Sequence, residues 1–306
     1  MAAVFFYISG HGFGHASREI EVINALLVGG PGRSAPAIVI RSSAPRWLFD
    51  RNVRGPFTLI EGPCDTGLVQ IDSLHLDAPE SIRRAAAFHR QLPGRVETEA
   101  ALLRSHDARL AISDAPPLAC AAARAAGIPS AVLSNFTWDW IYQAYTEALD
   151  AAPDLIPAIQ DAYRCADEAW RFPLHGGFET FDRPVDVPFV ARHATHDRED
   201  VRRRLQLPAD APVALASFGG YGIGDFDPAR LDCLDDWTVV ITGDRPSAPL
   251  PEGVRFIHES TIYDGGLRYQ DLVRAVDAVV TKPGFGIVAE CLANGTAMLY
   301  TSRGRF

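Results

Sequence analysis

The sequence has no run of lysine or arginine longer than the three arginines at 202–204, no cysteine pair at the spacing of a metal or redox site, and no apolar stretch approaching the ~20 residues of a membrane-spanning helix. Each absence excludes a class of function. Without a basic stripe, and with a net charge of -9, the surface is not built for nucleic acid or anionic lipid, so any anionic ligand must be held locally. The five cysteines, Cys64, Cys120, Cys165, Cys233 and Cys291, are odd in number and scattered; we read them as reduced thiols rather than a zinc site or disulfide framework. The opening MAAVFFYISG lacks a basic leader, and its apolar part is too short for a cleaved signal, so a cytoplasmic, unprocessed protein without a membrane span is expected. No glycine loop ends in the Gly-Lys-Ser/Thr of a P-loop. The first reads G-x-G-x-G-H rather than the dinucleotide fingerprint G-x-G-x-x-G, which disfavours hydride transfer.

What is present is alternation. The 306 residues exceed the size at which one core usually keeps growing, so two domains are expected. Short apolar runs (AAVFFYIS, APAIVIRS, FTLIEG, RLAISD, PSAVLSN) alternate with helical patterns, the signature of βαβ units and a parallel sheet. After the first run, Ile20, Ile23, Leu26 and Leu27 recur at helical spacing on one face. The helical segment over 77–107 should break at Pro93 and Gly94. Between 172 and 193 the text turns to PLHGGFETFDRPVDVPFVARH, without helical period, and reads as a linker. Alternation then resumes through VALASFGG, WTVVITG, VRFIHES, AVVTKPG and AMLYTS. We therefore expect an α/β fold of two Rossmann-like parallel-sheet lobes: residues 1–175, a linker over 176–192, and residues 193–306. Ligands belong in a cleft between the carboxyl ends of their strands. The second lobe is expected to be incomplete, because YTSRGRF stops after a strand without the helix that covers a sheet edge.

Three glycine loops each follow a predicted strand: GHGFGH (10–15), FGGYGIGD (218–225) and KPGFG (282–286). Glycine admits close backbone approach by a ligand, and the following helix offers free N–H groups and a positive dipole end to phosphate. His15 opens the first helix, where the dipole favours the neutral ring a general base needs; the alternative is a structural ring, and His11 is the bystander. These two histidines lie four apart, as in a helical metal pair, but no third ligand is near in sequence, so no metal is expected. Asp114 ends RLAISD, where it either orients the imidazole, as in a triad, or caps the helix beginning PPLACAAARAAG. In the third loop Lys282 is a cation for a diphosphate or a surface lysine, and Glu290 either accepts ribose hydroxyls or is a solvated helix carboxylate. The cluster NFTWDWIYQAY (135–145) holds too many rings to be all exposed. Trp138, Trp140, Tyr142 and Tyr145 should be mostly core, with one or two left for a sugar-stacking wall.

Taken together, these residues resemble a known superfamily. A strand leading to a Gly-rich loop that ends in Gly-His, then a later Gly-Gly loop and a PGxGxxxExLAxG segment, look like the GT-B glycosyltransferases, including the UDP-glycosyltransferases and MurG-like transferases. More narrowly, the chain resembles the glycosyltransferase-like N-terminal region of plant L-arabinokinases over nearly its whole length. GHGFGHASR, CDTGLVQIDSLHLD, ISDAPPLACAAARAAGIPS, SNFTWDWIY, VDVPFV and KPGFGIVAECLANG carry that resemblance. It implies transfer from a nucleotide-diphosphate sugar, a UDP-sugar, to an acceptor hydroxyl, with inversion and without a metal. By position it implies His15 as base and Asp114 as the residue that orients it. Gly219, Gly220, Gly284 and Gly286 would lie near the diphosphate with Lys282, and Glu290 on the ribose. Gly12, Gly14, Arg18, Asn135 and Trp138 are assigned to the acceptor-side loop.

Two departures from the superfamily pattern stand out. The acidic/amide pair that grips the donor sugar in many relatives would fall beyond Phe306, and the C-terminal helix that crosses back to the first lobe is not expected within these residues. The Gly/Ser-rich phosphate loop of the arabinokinase kinase domain has no counterpart here either, so no kinase function is assigned to these residues. Rival readings are a non-catalytic nucleotide-sugar-binding module, the N-terminal part of a sugar kinase, and a nucleotide-sugar epimerase.

Overall fold

The computed structural model describes residues 2–29, 35–219, 236–243, 245 and 249–301. The chain divides into two compact units, Met1–Val69 with Asp77–Val190, and Gln70–Leu76 with Ala191–Gly304.

The first run, AVFFYI, carries no charged residue because both faces of its strand are covered. It forms β1 (Ala3–Ile8), at the heart of the first unit. Then follow α1 (Phe13–Val28), β2 (Ala37–Ser42), α2 (Arg46–Asn52), β3 (Thr58–Glu61), and the two short strands β4 (Val69–Gln70) and β5 (Leu76–Asp77). Next come α3 (Ala78–Arg90), α4 (Leu92–Ser105), β6 (Ala108–Asp114), α5 (Pro117–Ala126) and β7 (Ser130–Phe136). The unit closes with α6 (Trp138–Gln143), α7 (Thr146–Leu149), α8 (Leu155–Tyr163), β8 (Glu168–Gly176) and β9 (Val185–Asp186). Seven strands pair in the order β3-β2-β1-β6-β7-β8-β9. The order runs outward on both sides from β1 and β6, which makes that pair the switch point where an α/β sheet opens a crevice beyond its strand ends.

The break in the long helical segment falls at Gln91, between α3 and α4. Pro93 sits in the first turn of α4, where a missing N–H costs nothing. At the other end Asp77 caps α3 by accepting from the Glu80 N–H at 2.9 Å. Small residues let helix and sheet approach closely: Ala119, Ala122 and Ala123 of α5 pack with Leu103, Phe5 and Tyr7 in one buried cluster. The proline- and glycine-rich segment after β8 has structure of its own. Phe178 is buried, and β9 pairs in parallel with β8.

In the second unit, α9 (Arg198–Arg204), β10 (Val213–Ser217), β11 (Thr238–Ile241) and β12 (Val254–Phe256) precede α10 (Glu259–Asp264) and α11 (Tyr269–Ala275). β13 (Ala278–Thr281), α12 (Phe285–Asn294) and β14 (Ala297–Tyr300) complete it. Its five strands run parallel in the order β12-β11-β10-β13-β14, so the order reverses between β10 and β13. Val213, Leu215, Val240, Leu272, Val273 and Val279 lie in its core. Among the described residues, no helix is long and apolar enough to cross a membrane.

Candidate functional site

Ile8, the last residue of β1, pairs with Asp114, the last residue of β6, and the Ser9 N–H donates to the Asp114 carbonyl at 3.3 Å. The glycine loop therefore leaves the sheet directly beside the Asp114 side chain. Gly12, with φ at +82°, is the N-cap of α1 and provides no side-chain cap. Nothing lies within 4 Å of the place a Cβ would occupy there. Gly14 is exposed in the first turn of α1. One residue on, the His15 Nδ1 lies 3.1 Å from Asp114 Oδ1. The imidazole meets Phe136 edge-on at 5.4 Å between centroids.

Asp114 is completely buried, and its Oδ1 also receives Arg18 Nη2 and, at 3.2 Å, Ser134 Oγ. Arg18 spends its other amino group on Asn135 Oδ1 at 2.7 Å and lies 4.7 Å over the Phe172 ring. Burial alone would raise the Asp114 carboxyl; the charges of Arg18 and His15 outweigh it and hold the group below its ordinary value. Asp114 does not cap α5. The N-cap there is Pro116, with no side-chain bond, and the carboxylate is committed to α1 instead. Between them stands Ala115 at φ +75°, a left-handed conformation costly for a residue with a Cβ. Tyr163 fixes it by donating to its carbonyl at 2.6 Å.

Two acidic residues beside this cluster are absent from the sequence-based assignments. Glu19 is fully buried, with Arg18 Nε at 3.8 Å and no hydrogen bond to either carboxyl oxygen. Burial first, then the Asp114 charge, push its carboxyl well up, against the lowering effect of Arg18. Asp65 accepts from Trp138 Nε1 at 2.8 Å. Burial raises its carboxyl against the lowering effect of bonds from Ser9 and Trp138.

Three residues assigned to the acceptor-side loop have partners inside the first unit. Trp138 is 1% exposed and stacks on Tyr142 at 5.4 Å, because an indole whose N–H is satisfied by Asp65 is best placed in the core. Arg18 is 4% exposed, its guanidinium spent on Asp114 and Asn135, and Asn135 in turn is occupied by Arg18. Of the aromatic cluster, Trp140 remains at the surface at 43% exposure. His11 accepts from the Leu68 N–H at 3.3 Å and packs edge-on against Trp138. Gly67, at φ +59°, is required beneath it, since a Cβ there would come within 2.7 Å of His11 Nδ1.

In the second unit the loops after β10 and β13 leave adjacent strands, with Ser217 in register with Thr281. Thr281 Oγ1 donates to the Ser217 carbonyl at 2.5 Å, and Ser217 Oγ shares a 2.6 Å bond with the buried Tyr269 hydroxyl. Gly219 follows at φ +75°, where a Cβ would lie 3.9 Å from Lys282 Cε. Lys282 is the single lysine of the sequence. Gly220 lies outside the described residues. Gly284 caps α12 with extended backbone, φ -114° and ψ 141°, no side-chain cap, and open space where a Cβ would stand; Gly286 lies in the first turn. Glu290, farther along α12, is buried rather than solvated and accepts from Arg192 Nε at 2.7 Å. Among the described residues, no group of three or more His, Cys, Asp or Glu side chains could hold a metal ion.

No protein-family model matches the chain. It is 28% identical over 307 aligned residues to L-arabinokinase of Arabidopsis thaliana, covering 98% of this chain and 28% of that protein's length. Among solved structures it is similar to the glycotransferase of kitacinnamycin, with a TM-score of 0.63 at 17% identity, covering 99% of this chain and 81% of that one. Phytolacca americana UGT2, solved with UDP-2-fluoro-glucose and pterostilbene, gives a TM-score of 0.60 at 13% identity over 98% and 80% of the two chains. SnogD from Streptomyces nogalater gives 0.55 at 17% identity over 99% and 83%. At these identities the likeness defines the fold, which is that of the GT-B glycosyltransferases.

Proposed function

We propose that this chain is a cytoplasmic glycosyltransferase that moves a sugar from a nucleotide-diphosphate sugar, a UDP-sugar, to an acceptor hydroxyl with inversion at the anomeric carbon. The acceptor side belongs to residues 1–175 and the donor side to residues 193–306. The observation that carries this reading is the 3.1 Å contact between His15 Nδ1 and the buried Asp114 carboxylate, at the switch point of the first sheet. With Nδ1 turned to Asp114, Nε2 is the nitrogen left to take a proton. It removes the acceptor hydroxyl proton as the oxygen attacks the anomeric carbon, and the bond to the diphosphate breaks with its electron pair leaving on the nucleotide. Asp114 then stabilises the imidazolium.

In the second unit, Lys282 and the uncapped start of α12 at Gly284 face the charge that develops on the leaving diphosphate, so no metal is required for that role. Gly219, Gly220 and Gly286 make room for it, and Glu290 accepts the ribose hydroxyls. UGT2 was solved with UDP-2-fluoro-glucose, which favours UDP-sugars as the first donors to test.

Mass-spectrometric product analysis with a panel of UDP-sugars and hydroxylated acceptors tests this reading. Transfer that is lost in His15→Ala while donor binding persists supports it; unchanged transfer in that variant rejects the base assignment. A second reading rests on the 28% identity to L-arabinokinase, of which this chain spans 28% of the length. There the fold binds a nucleotide sugar without transferring it, as one part of a longer sugar kinase. Binding without product from any acceptor favours that reading.

A further inference from the structure

The two faces of the first sheet carry different polar groups. Tyr7 and Arg41 are register partners on β1 and β2, one residue before Ile8, whose partner on β6 is Asp114. Successive residues of a strand face opposite ways, so Arg41 stands on the side of the sheet away from Asp114 and α1. There it meets Glu99 of α4, with Nε at 3.0 Å and Nη2 at 2.9 Å from Oε1, while Tyr7 donates to Oε2 at 3.1 Å. Beside this pair lies a cavity of about 380 Å³, between the start of α4 and Leu118 of α5. Small-molecule sites run from roughly 300 to 1,000 Å³, so a sugar-sized molecule fits.

The polar groups of its wall are unequally engaged. Both Glu99 oxygens are taken, and the Thr98 hydroxyl donates to the Gly94 carbonyl at 2.9 Å. What is left is a set of donors. Arg95 lies 4.2 Å over the Phe88 ring and donates through Nη2 to Gln91 Oε1 at 3.0 Å, which leaves the Gln91 amide nitrogen without a partner. Arg95 Nε is buried and bonds to nothing, and among the described residues no carboxylate pairs with this guanidinium. Arg41 matches the charge of Glu99, so Arg95 gives the cavity one positive charge in excess.

We propose that this cavity is a binding site for a small anionic molecule, one that carries a phosphate monoester or a carboxylate on a sugar-sized body, with Arg95 as its anchor. It is separate from the transfer reading, since it lies on the opposite face of the sheet from Asp114 and shares no residue with that cluster. A guanidinium stacked on a ring and tethered to a neighbouring amide is ordered before the ligand arrives, so binding costs little side-chain entropy. Its fork of N–H groups suits two oxygens of either oxyanion. Gly94 keeps the wall low at that point, for nothing lies within 4 Å of the place its Cβ would occupy.

Isothermal titration of the whole chain with glucose 6-phosphate, glucuronate and glucose tests this. The first two carry an oxyanion and the third does not. At least one anion should bind while glucose does not, and the tighter of the two tells phosphate from carboxylate. Arg95→Met, which keeps the aliphatic stem over Phe88 but removes the charge, should weaken that anion by about 10- to 100-fold, the worth of a hydrogen bond to a charged group. Gly94→Leu, which fills the space and leaves every charge in place, should abolish binding. Urea midpoints report whether each variant folds, and Arg95→Lys, which keeps the charge without the fork, should fall between wild type and Arg95→Met and serves if either of the others does not fold. Glucose binding as tightly as the anions, no binding of either anion to the wild type, or anion binding unchanged in the variants each overturns the proposal. Loss of the transferase reading would leave it standing, because neither titration involves a nucleotide.

Discussion

His15 and Arg18, three residues apart and on one face of α1, converge on a single oxygen of Asp114. One helix thus delivers both a titratable ring and a permanent cation to one buried carboxylate. The permanent charge of Arg18 helps hold that carboxyl below its ordinary value.

The first prediction concerns turnover. His15→Ala should lower transfer by about 10²- to 10⁴-fold, the usual yield of a general base. Asp114→Asn, which keeps the shape but removes the charge that orients and stabilises the ring, should lower it by up to about 10⁴-fold. Steady-state rates at fixed donor concentration measure both. An Asp114→Asn enzyme as fast as the wild type would remove Asp114 from the mechanism.

Stability should follow the same charge. Burial pushes the Asp114 carboxyl up, but Arg18 and His15 bring it below its ordinary value of 3.8. A carboxyl depressed in the folded state contributes stability that is present above the unfolded value and lost as pH falls through the folded one. Asp114→Asn removes the carboxylate charge that faces the buried Arg18, so it should cost about 3 kcal/mol at neutral pH. That gap should narrow once the pH drops below 3.8. Urea denaturation at several pH values reads it, and a gap constant down to pH ~3 would contradict the assignment.

Much of this arrangement is legible before any coordinates. The unbroken apolar run of β1, the helical period of α1 and the aspartate at the end of RLAISD already place His15 and Asp114 at strand ends. Adjacency of β1 and β6 is another matter, since it depends on a sheet order that sequence leaves open. Glu19 reads as one more polar residue in a helix; only its contact with Arg18 and its burial make it unusual. The bond from Trp138 to Asp65 spans 73 positions and that from Arg192 to Glu290 spans 98, so neither leaves a local signal. Nor does the left-handed backbone of Ala115, which tertiary contacts impose on a residue that disfavours it.

The buried indole offers a third check. Trp138→Phe removes the N–H that Asp65 accepts, leaving it the bond from Ser9, and empties part of the space the indole fills. Losing one bond to a buried carboxyl costs about 1–3 kcal/mol and the emptied volume adds to it, so the urea midpoint should fall accordingly. No change would mean that Asp65 finds another donor.

Lys282 provides the fourth. As the single lysine, it is the one side chain an amine-directed reagent can modify, besides the amino terminus. UDP should protect Lys282 and leave the terminal amine reactive, as peptide mass mapping would record. Equal labelling with and without UDP would move the diphosphate away from this loop.

The short excursion from Gln70 to Leu76 belongs with Ala191–Gly304 rather than with the residues around it, and there Ser73 donates to the Phe218 carbonyl. Among the described residues the polypeptide thus passes from one unit to the other three times. A single cut after Val190 would not release two finished pieces: the front fragment would keep seven residues that fold elsewhere, and the rear fragment would lack a strap for the segment leading into its glycine loop. Anyone wishing to study the halves apart must carry that heptapeptide across, by permuting or splicing the chain.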